Sequence, residues 1–239
     1  MLTSLRRPDR ARNSRDQGEQ AMTTTLGTYD TDVSDMYAIH KALLGGLDAA
    51  PRYITEAGES AARVELIGSF YENLIEFLHV HHSSEDAVLY PLLEERCAEG
   101  RAAVERINDQ HKTLYAPMDA GRSTNAAWRA APSSDNAQAF IDALGSIVDA
   151  LRPHLADEEN VVLPIAAKWI SPEEWGSMAG HSMMSFHADK PWLMMGLVLE
   201  QLDQEHRAGV LAGMPPEMQT MWTEHMEPAF TAFITEVRR

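Results

Sequence analysis

Apolar residues recur along most of the chain with the spacing of a single helix face. The pattern i, i+3, i+4, i+7 places such residues on one side of an α-helix, and it recurs in four long segments. The predicted helices cover about 29–47, 60–96, 100–121 and 140–165, and glycine, proline and serine mark the breaks between them. We therefore predict an all-α protein built on an up-down four-helix bundle.

The residues after position 170 predict a C-terminal helical extension. Its first helix has a capping-box signature, with Ser171 as N-cap, Pro172 at the first position and Glu174 three residues past the cap. Further helices are expected at about 190–204 and 216–237. The extension is rich in methionine, which predicts adaptable core packing, with a ligand channel as the alternative. The predicted domains are thus a bundle over 29–170 and the extension over 171–239.

The segment 1–28 is polar, rich in arginine and without apolar periodicity, so we predict a disordered tail. It lacks the apolar stretch of a secretory signal, and its acidic residues argue against a transit peptide. Nucleic acid is not an expected partner because the formal net charge is −16. No apolar run is long enough for a membrane span. A single cysteine, Cys97, fits a reducing compartment and predicts a cytoplasmic location.

Polar residues interrupt the apolar faces at matching positions in two halves of the chain. The stretches 81–91 (HHSSEDAVLYP) and 154–164 (HLADEENVVLP) share the frame HxxxE, with proline six residues after the glutamate. Residues four apart lie on the same face of a helix, so each copy directs an imidazole and a carboxylate to one point. A lone inward histidine, His40 or His111, precedes each copy on the previous helix. The pattern predicts a duplicated helical hairpin.

Glutamate on an apolar helix face requires a partner, because burying an unpaired carboxylate costs several kcal/mol. Packing the two hairpins together would bring four imidazoles and two carboxylates to one level of the core, and six ligands suit two metal ions. The ligands predicted in this way are His40, His81, Glu85, His111, His154 and Glu158. The metal-free alternative is a bundle whose polar groups satisfy one another.

The register of the first copy requires a choice, because His82 and Asp86 also stand four residues apart. The second copy has Leu155 at the position that matches His82, which favours His81 and Glu85 as the inward pair. We therefore expect His82 about 100° away from the inward face. Asp86 and Glu159 are then expected to contact the ligands from outside or to lie on the surface.

These motifs resemble the hemerythrin-like family with its HHE cation-binding domain, over about residues 29–169. The resemblance rests on His40, on HHSSED with Val88 and Pro91, on His111, and on HLADEE with Val162 and Pro164. It implies two non-haem iron ions, rather than manganese or zinc, bridged by the two glutamates and held by the four histidines. The implied function is binding or reaction with a small species, namely O2, peroxide or NO.

The sequence departs from this family at one position. Oxygen-carrying hemerythrins have a second histidine one turn after the lone histidine of the third helix, and here that position is Tyr115. Tyr115 is expected either to supply a phenolate ligand or to be a core tyrosine. One imidazole fewer favours redox or small-molecule chemistry over reversible oxygen carriage.

The extension suggests further roles for the protein. His181 or His187 is a candidate to cap the metal centre from there. The alternative function is a metal- or oxygen-responsive sensor that acts through the extension. A redox partner or a second copy of the chain is a further candidate partner.

Overall fold

The computed structural model describes residues 28–239, and in this range it consists of helices joined by short connections, with no strand. The predicted all-α class is confirmed, whereas the up-down order of the helices stays a prediction. The tail predicted over 1–28 lies outside the described residues except for Thr28. No helix of the described range combines the length and the apolar character that crossing a membrane requires.

Seven α-helices form the part of the chain predicted to be a bundle. They are α1 (Ser34–Asp48), α2 (Ala50–Ala57), α3 (Ala61–Ser84), α4 (Tyr90–Arg96), α5 (Ala98–Ala130), α6 (Ser134–Asp157) and α7 (Leu163–Trp169). The long helix α5 packs along α6 and α3, and α1 packs against α6. Their apolar faces meet in a core centred on residues such as Leu43, Leu74, Leu114 and Leu144, all without solvent exposure beyond 1%.

The helix α5 is longer than the sequence predicts, because it passes Pro117 and Gly121 and ends at Ala130. A Cβ atom on Gly121 would lie 3.1 Å from Ile75 and 3.3 Å from Ile147, so glycine here allows close packing of helices rather than ending one. The break predicted between residues 121 and 140 is therefore wrong for most of that range, because α5 continues to Ala130 and α6 begins at Ser134. Trp128 is fully buried in the core, and tertiary packing there outweighs the polar composition.

Three single π-turns interrupt the helices, and each precedes a proline by the same distance. They cover Glu85–Leu89, Glu158–Val162 and Trp222–Met226, followed by Pro91, Pro164 and Pro228. In each case the residue just before the proline donates its backbone N–H to the first residue of the turn, five positions back. Proline has no N–H and clashes with the preceding turn, which the wider π-turn relieves. Both HxxxE glutamates therefore begin a π-turn.

The extension consists of α8 (Pro172–Ser185), α9 (Pro191–Leu199), α10 (Gln204–Gly213), α11 (Pro216–Met221) and α12 (Glu227–Arg238). The predicted capping box is confirmed, with Ser171 Oγ accepting from the Glu174 N–H at 3.2 Å and Glu174 accepting from the Ser171 N–H at 3.0 Å. Arg96 in α4 also donates to both oxygens of Glu174. The helices α9 and α12 pack on α3 and share its core. The division into two domains near residue 170 remains a prediction.

Candidate metal centre

Two adjoining groups of buried histidine and glutamate lie in the middle of the bundle. The first contains His40, His81, Glu85 and Glu158, and the second contains His82, His111 and His154. Within each group the candidate ligand atoms all lie within 4.8 Å of one another. All seven side chains are between 0 and 4% exposed. Such spacing is suited to one metal ion per group.

The first group combines residues of helix α1, of helix α3 and of the π-turns that begin at Glu85 and Glu158. His40 Nε2 lies 3.4 Å from Glu158 Oε2, and His81 Nε2 lies 3.3 Å from Glu85 Oε1. The two imidazole rings meet edge to face, with centroids 5.3 Å apart. This group therefore offers two imidazoles and two carboxylates.

The second group is an assembly of three imidazoles from α3, α5 and α6. The ring of His82 stacks on that of His111, with centroids 4.2 Å apart, and contacts the ring of His154 at 4.8 Å. Glu85 Oε2 lies 3.6 Å from His111 Nε2, and Glu158 Oε2 lies 3.8 Å from His154 Nε2. Both glutamates thus lie between the imidazoles of the first group and those of the second group, where a carboxylate could bridge two cations.

Within the part of the chain that the structure describes, the inward-facing atoms of the centre have no hydrogen-bond partner. These atoms are His40 Nε2, His81 Nε2, both ring nitrogens of His82, His111 Nε2, His154 Nε2, Glu85 Oε1 and Glu158 Oε2. A buried polar atom without a partner costs about 1–3 kcal/mol, so a cluster of this size is unfavourable unless something else satisfies it. Imidazole and carboxylate are common ligands of iron and zinc. The donor set therefore fits metal ions.

Three of the histidines contact a polar side chain through the ring nitrogen that faces away from the centre. His40 Nδ1 donates to Glu159 at 2.9 Å and His111 Nδ1 donates to Asp86 at 2.9 Å, while His154 Nδ1 lies 3.3 Å from Gln110 Oε1. A proton fixed on Nδ1 leaves the lone pair of Nε2 free for a metal and orients the ring. Glu159 and Asp86 thus contact His40 and His111 from outside, which is one of the two positions that the sequence allowed for them.

Without a cation, protons compensate the buried carboxylates of the centre. Burial, together with repulsion from Glu158, raises the pKa of Glu85 well above its ordinary value. Burial would lower the pKa of His40, but Glu158 and Glu159 outweigh it and raise that pKa to about 9. For His154, burial lowers the pKa to about 4, which keeps the imidazole neutral near pH 7 and able to coordinate.

Tyr90 is a residue of the centre that sequence reasoning missed. Its hydroxyl donates to Glu158 Oε1 at 3.1 Å and lies 3.5 Å from Glu85 Oε2. Burial and the two carboxylates raise the pKa of Tyr90, so the phenol keeps its proton and acts as a donor. The motif gave no signal for this role, because the matching position in the second copy is Leu163.

His82 and Tyr115 both differ in position from what the sequence predicted. His82 is 2% exposed and belongs to the second group, so the expectation that it points away from the centre is wrong. Tyr115 is 43% exposed, whereas the members of both groups are at most 4% exposed, so it is not the core tyrosine that the sequence allowed, and it is not placed with the ligands as the alternative phenolate would be. His187 is exposed as well. His181 lies 3.1 Å from Ser84 Oγ and belongs to neither group, so no histidine of the extension caps the centre directly.

The fold and this centre define an all-α protein with a buried, carboxylate-linked histidine cluster suited to metal ions. A family model described as the hemerythrin HHE cation binding domain matches residues 31–166, which is more than half of the chain. The chain belongs to the hemerythrin HHE cation-binding domain family, and the resemblance stated from the sequence is confirmed. Searches of curated proteins and of solved structures found no significant match.

Proposed function

We propose that this protein holds a di-iron centre that binds or reacts with O2, peroxide or NO. The observation that carries this proposal is the position of Glu85 and Glu158 between two adjoining imidazole groups. Iron, once bound, supplies Lewis-acid and redox chemistry. We prefer iron to manganese or zinc because of family membership, and the single Cys97 is consistent with a reducing, cytoplasmic setting.

The numbers of imidazoles favour one iron site for an external ligand. If both glutamates are shared between the two ions, the groups differ only in their imidazoles, of which the first has two and the second has three. An ion in the first group would then have more room for an added ligand. Counting His82 also gives five imidazoles rather than four. His82 supplies an imidazole in place of the one absent at Tyr115, so reversible binding of O2 is among the reactions that the centre would support.

The chain's own residues would orient and protect the ligands. Glu159 and Asp86 hold the rings of His40 and His111. The hydroxyl of Tyr90 fixes the carboxylate of Glu158 and keeps a proton next to it. Apolar residues such as Val162, which is fully buried, exclude water from this level of the bundle.

Anaerobic reconstitution with Fe(II) tests the proposal. We expect about two iron ions per chain, since each group provides enough ligands for one ion. Subsequent addition of O2, peroxide or NO in separate samples should change the optical spectrum of the iron. Fewer than about one iron per chain after reconstitution, or a spectrum unaffected by all three additions, would contradict it.

A second candidate function, a sensor acting through the extension, is supported by one contact. Ser84 lies between His81 and Glu85 in sequence, and its hydroxyl is 3.1 Å from His181 Nδ1 and 2.7 Å from Ser182 Oγ in α8. Changes at the metal could therefore reach the extension directly.

Metal removal tests this second candidate by amide hydrogen exchange. Bound metal stabilises only the folded arrangement of its ligands, so the metal-free protein should exchange faster in α8 and α9. Helix α10 has no buried residue and provides an internal control that should change little. Equal exchange of α8 in the two forms would argue against sensing through this contact.

A further inference from the structure

An apolar cavity of about 200 Å³ lies between the bundle and the extension. Helices α1 and α3 form its inner wall through residues such as Ile39 and Phe77. Methionines from the extension form much of the rest, namely Met183, Met194, Met195, Met214 and Met226. Apolar cavities of about 150 Å³ bind benzene-sized molecules, and methionine side chains adapt to the shape of a ligand. The cavity is therefore larger than a diatomic molecule requires.

His81 connects this cavity to the candidate metal centre, because it lines the cavity and belongs to the first ligand group. Its Nε2 atom lies 3.3 Å from Glu85 Oε1. Within residues 28–239, no hydrogen-bond partner is found for its other ring nitrogen, Nδ1, whereas the Nδ1 atoms of His40 and His111 each have a carboxylate. An imidazole that binds metal through Nε2 carries its proton on Nδ1. His81 thus retains a donor for a ligand.

The remaining polar lining disfavours an anion. Asp35 lines the cavity, and its carboxylate accepts a hydrogen bond from Trp175 Nε1 at 3.0 Å. Ser182 adds a hydroxyl, which carries no charge. An anion is therefore disfavoured beside Asp35 in an apolar surrounding, while a cation would face the N–H donor of His81 and the adjoining metal position, so we expect a neutral ligand.

We propose that the extension forms a binding site for a small neutral organic molecule with an apolar body and one hydrogen-bond acceptor, which receives the Nδ1 proton of His81. The body would be the size of benzene or slightly larger. The hydrogen bond rests on the ligand role proposed above for His81, whereas the apolar cavity does not depend on bound metal. A molecule held there would lie next to the metal position with fewer imidazoles.

Calorimetry with two matched probes, acetophenone and ethylbenzene, tests the proposal on the full-length, iron-loaded protein. Both probes should bind, and acetophenone should bind roughly five-fold more tightly because its carbonyl accepts one hydrogen bond. The substitution Met195→Trp should weaken both probes at least about ten-fold by filling the cavity. Met184→Trp is the matched control, because Met184 is 79% exposed and does not line the cavity.

Helix content and iron content are measured for every variant. If Met195→Trp fails to fold, Val210→Trp at the cavity lining, where Val210 is 39% exposed, takes its place. The site is refuted if neither probe binds the wild type, or if filling the cavity leaves binding unchanged. Equal affinity for the two probes in protein with two iron ions refutes the His81 hydrogen bond. Failure of iron loading alone would remove the preference for acetophenone but leave ethylbenzene binding intact, which separates this inference from the proposed function.

Discussion

Replacing Glu85 with alanine is expected to abolish loading of both metal ions rather than one. The two oxygens of this carboxylate lie against different groups, Oε1 at 3.3 Å from His81 and Oε2 at 3.6 Å from His111. Its loss removes a ligand from each position and leaves the positive charges of two ions poorly compensated. Iron content after anaerobic reconstitution should fall from about two per chain to less than about 0.2.

Glu85→Ala should not destabilise the metal-free protein, although it abolishes metal loading. Without a cation, the buried carboxylate beside Glu158 is unfavourable, as the raised pKa of Glu85 indicates. Removing it should therefore raise the thermal midpoint of the metal-free form or leave it unchanged, although the cavity that alanine leaves offsets part of this gain. If Glu85 instead has only a structural role, Glu85→Ala should destabilise the protein and leave its metal content unchanged.

Asp86→Asn is the matched control for Glu85→Ala, because it changes the neighbouring carboxylate. Asp86 binds the outer nitrogen of His111 and is not a member of either ligand group. Its substitution should weaken iron binding by about 10- to 100-fold without changing the number of ions at saturation. The bridging assignment for Glu85 fails if Glu85→Ala still saturates with two iron ions.

The parts of the centre that could be predicted from the sequence are those where charge conflicts with burial. Glu85 and Glu158 stand on apolar faces, and a carboxylate there requires a cation or a proton. The repeated frame, with a lone histidine before each copy, placed His40 and His111 at the same level. Asp86 and Glu159 followed as neighbours of the glutamates, although their pairing with histidines of the opposite half depends on tertiary packing.

The position of His82 could not be predicted from periodicity, because α3 has no exposed residue from Asn73 to Ser84. It packs against α1, α5, α8 and α9, and polar residues such as Asn73 are buried as well. Two consecutive residues can then both be inward, with His81 facing His40 and His82 facing His111. Periodicity distinguishes a buried face from an exposed one, and it carries little information for a helix surrounded by others.

Tyr90 and the π-turns escaped prediction for a related reason. The structure accommodates Pro91 and Pro164 by inserting one residue into the helical turn that precedes each of them. This insertion changes the face on which later residues lie, so an ideal helix projection fails beyond the glutamate. Tyr90 follows the first π-turn directly and reaches Glu158 from the other half of the chain.

Replacing His82 with leucine should remove one metal ion and leave the other. Leucine is the residue that the second copy carries at this position, Leu155, and it is fully buried there, so a helix of this bundle accepts it. The second group would retain only His111 and His154 as imidazoles, whereas the first group is untouched. Iron content should therefore fall from about two to about one per chain at equal iron concentration.

His79→Leu is the control for His82→Leu, because it removes an imidazole from the same helix outside both groups. It should keep two iron ions. In the metal-free protein, His82→Leu should raise the free energy of unfolding by about 1–3 kcal/mol, since both ring nitrogens of His82 are buried and have no hydrogen-bond partner among residues 28–239. Burial also lowers the pKa of His82, so this gain should persist around pH 7, where the ring is neutral. Loss of both ions, or retention of both with unchanged affinity, would show that His82 does not serve the second position alone.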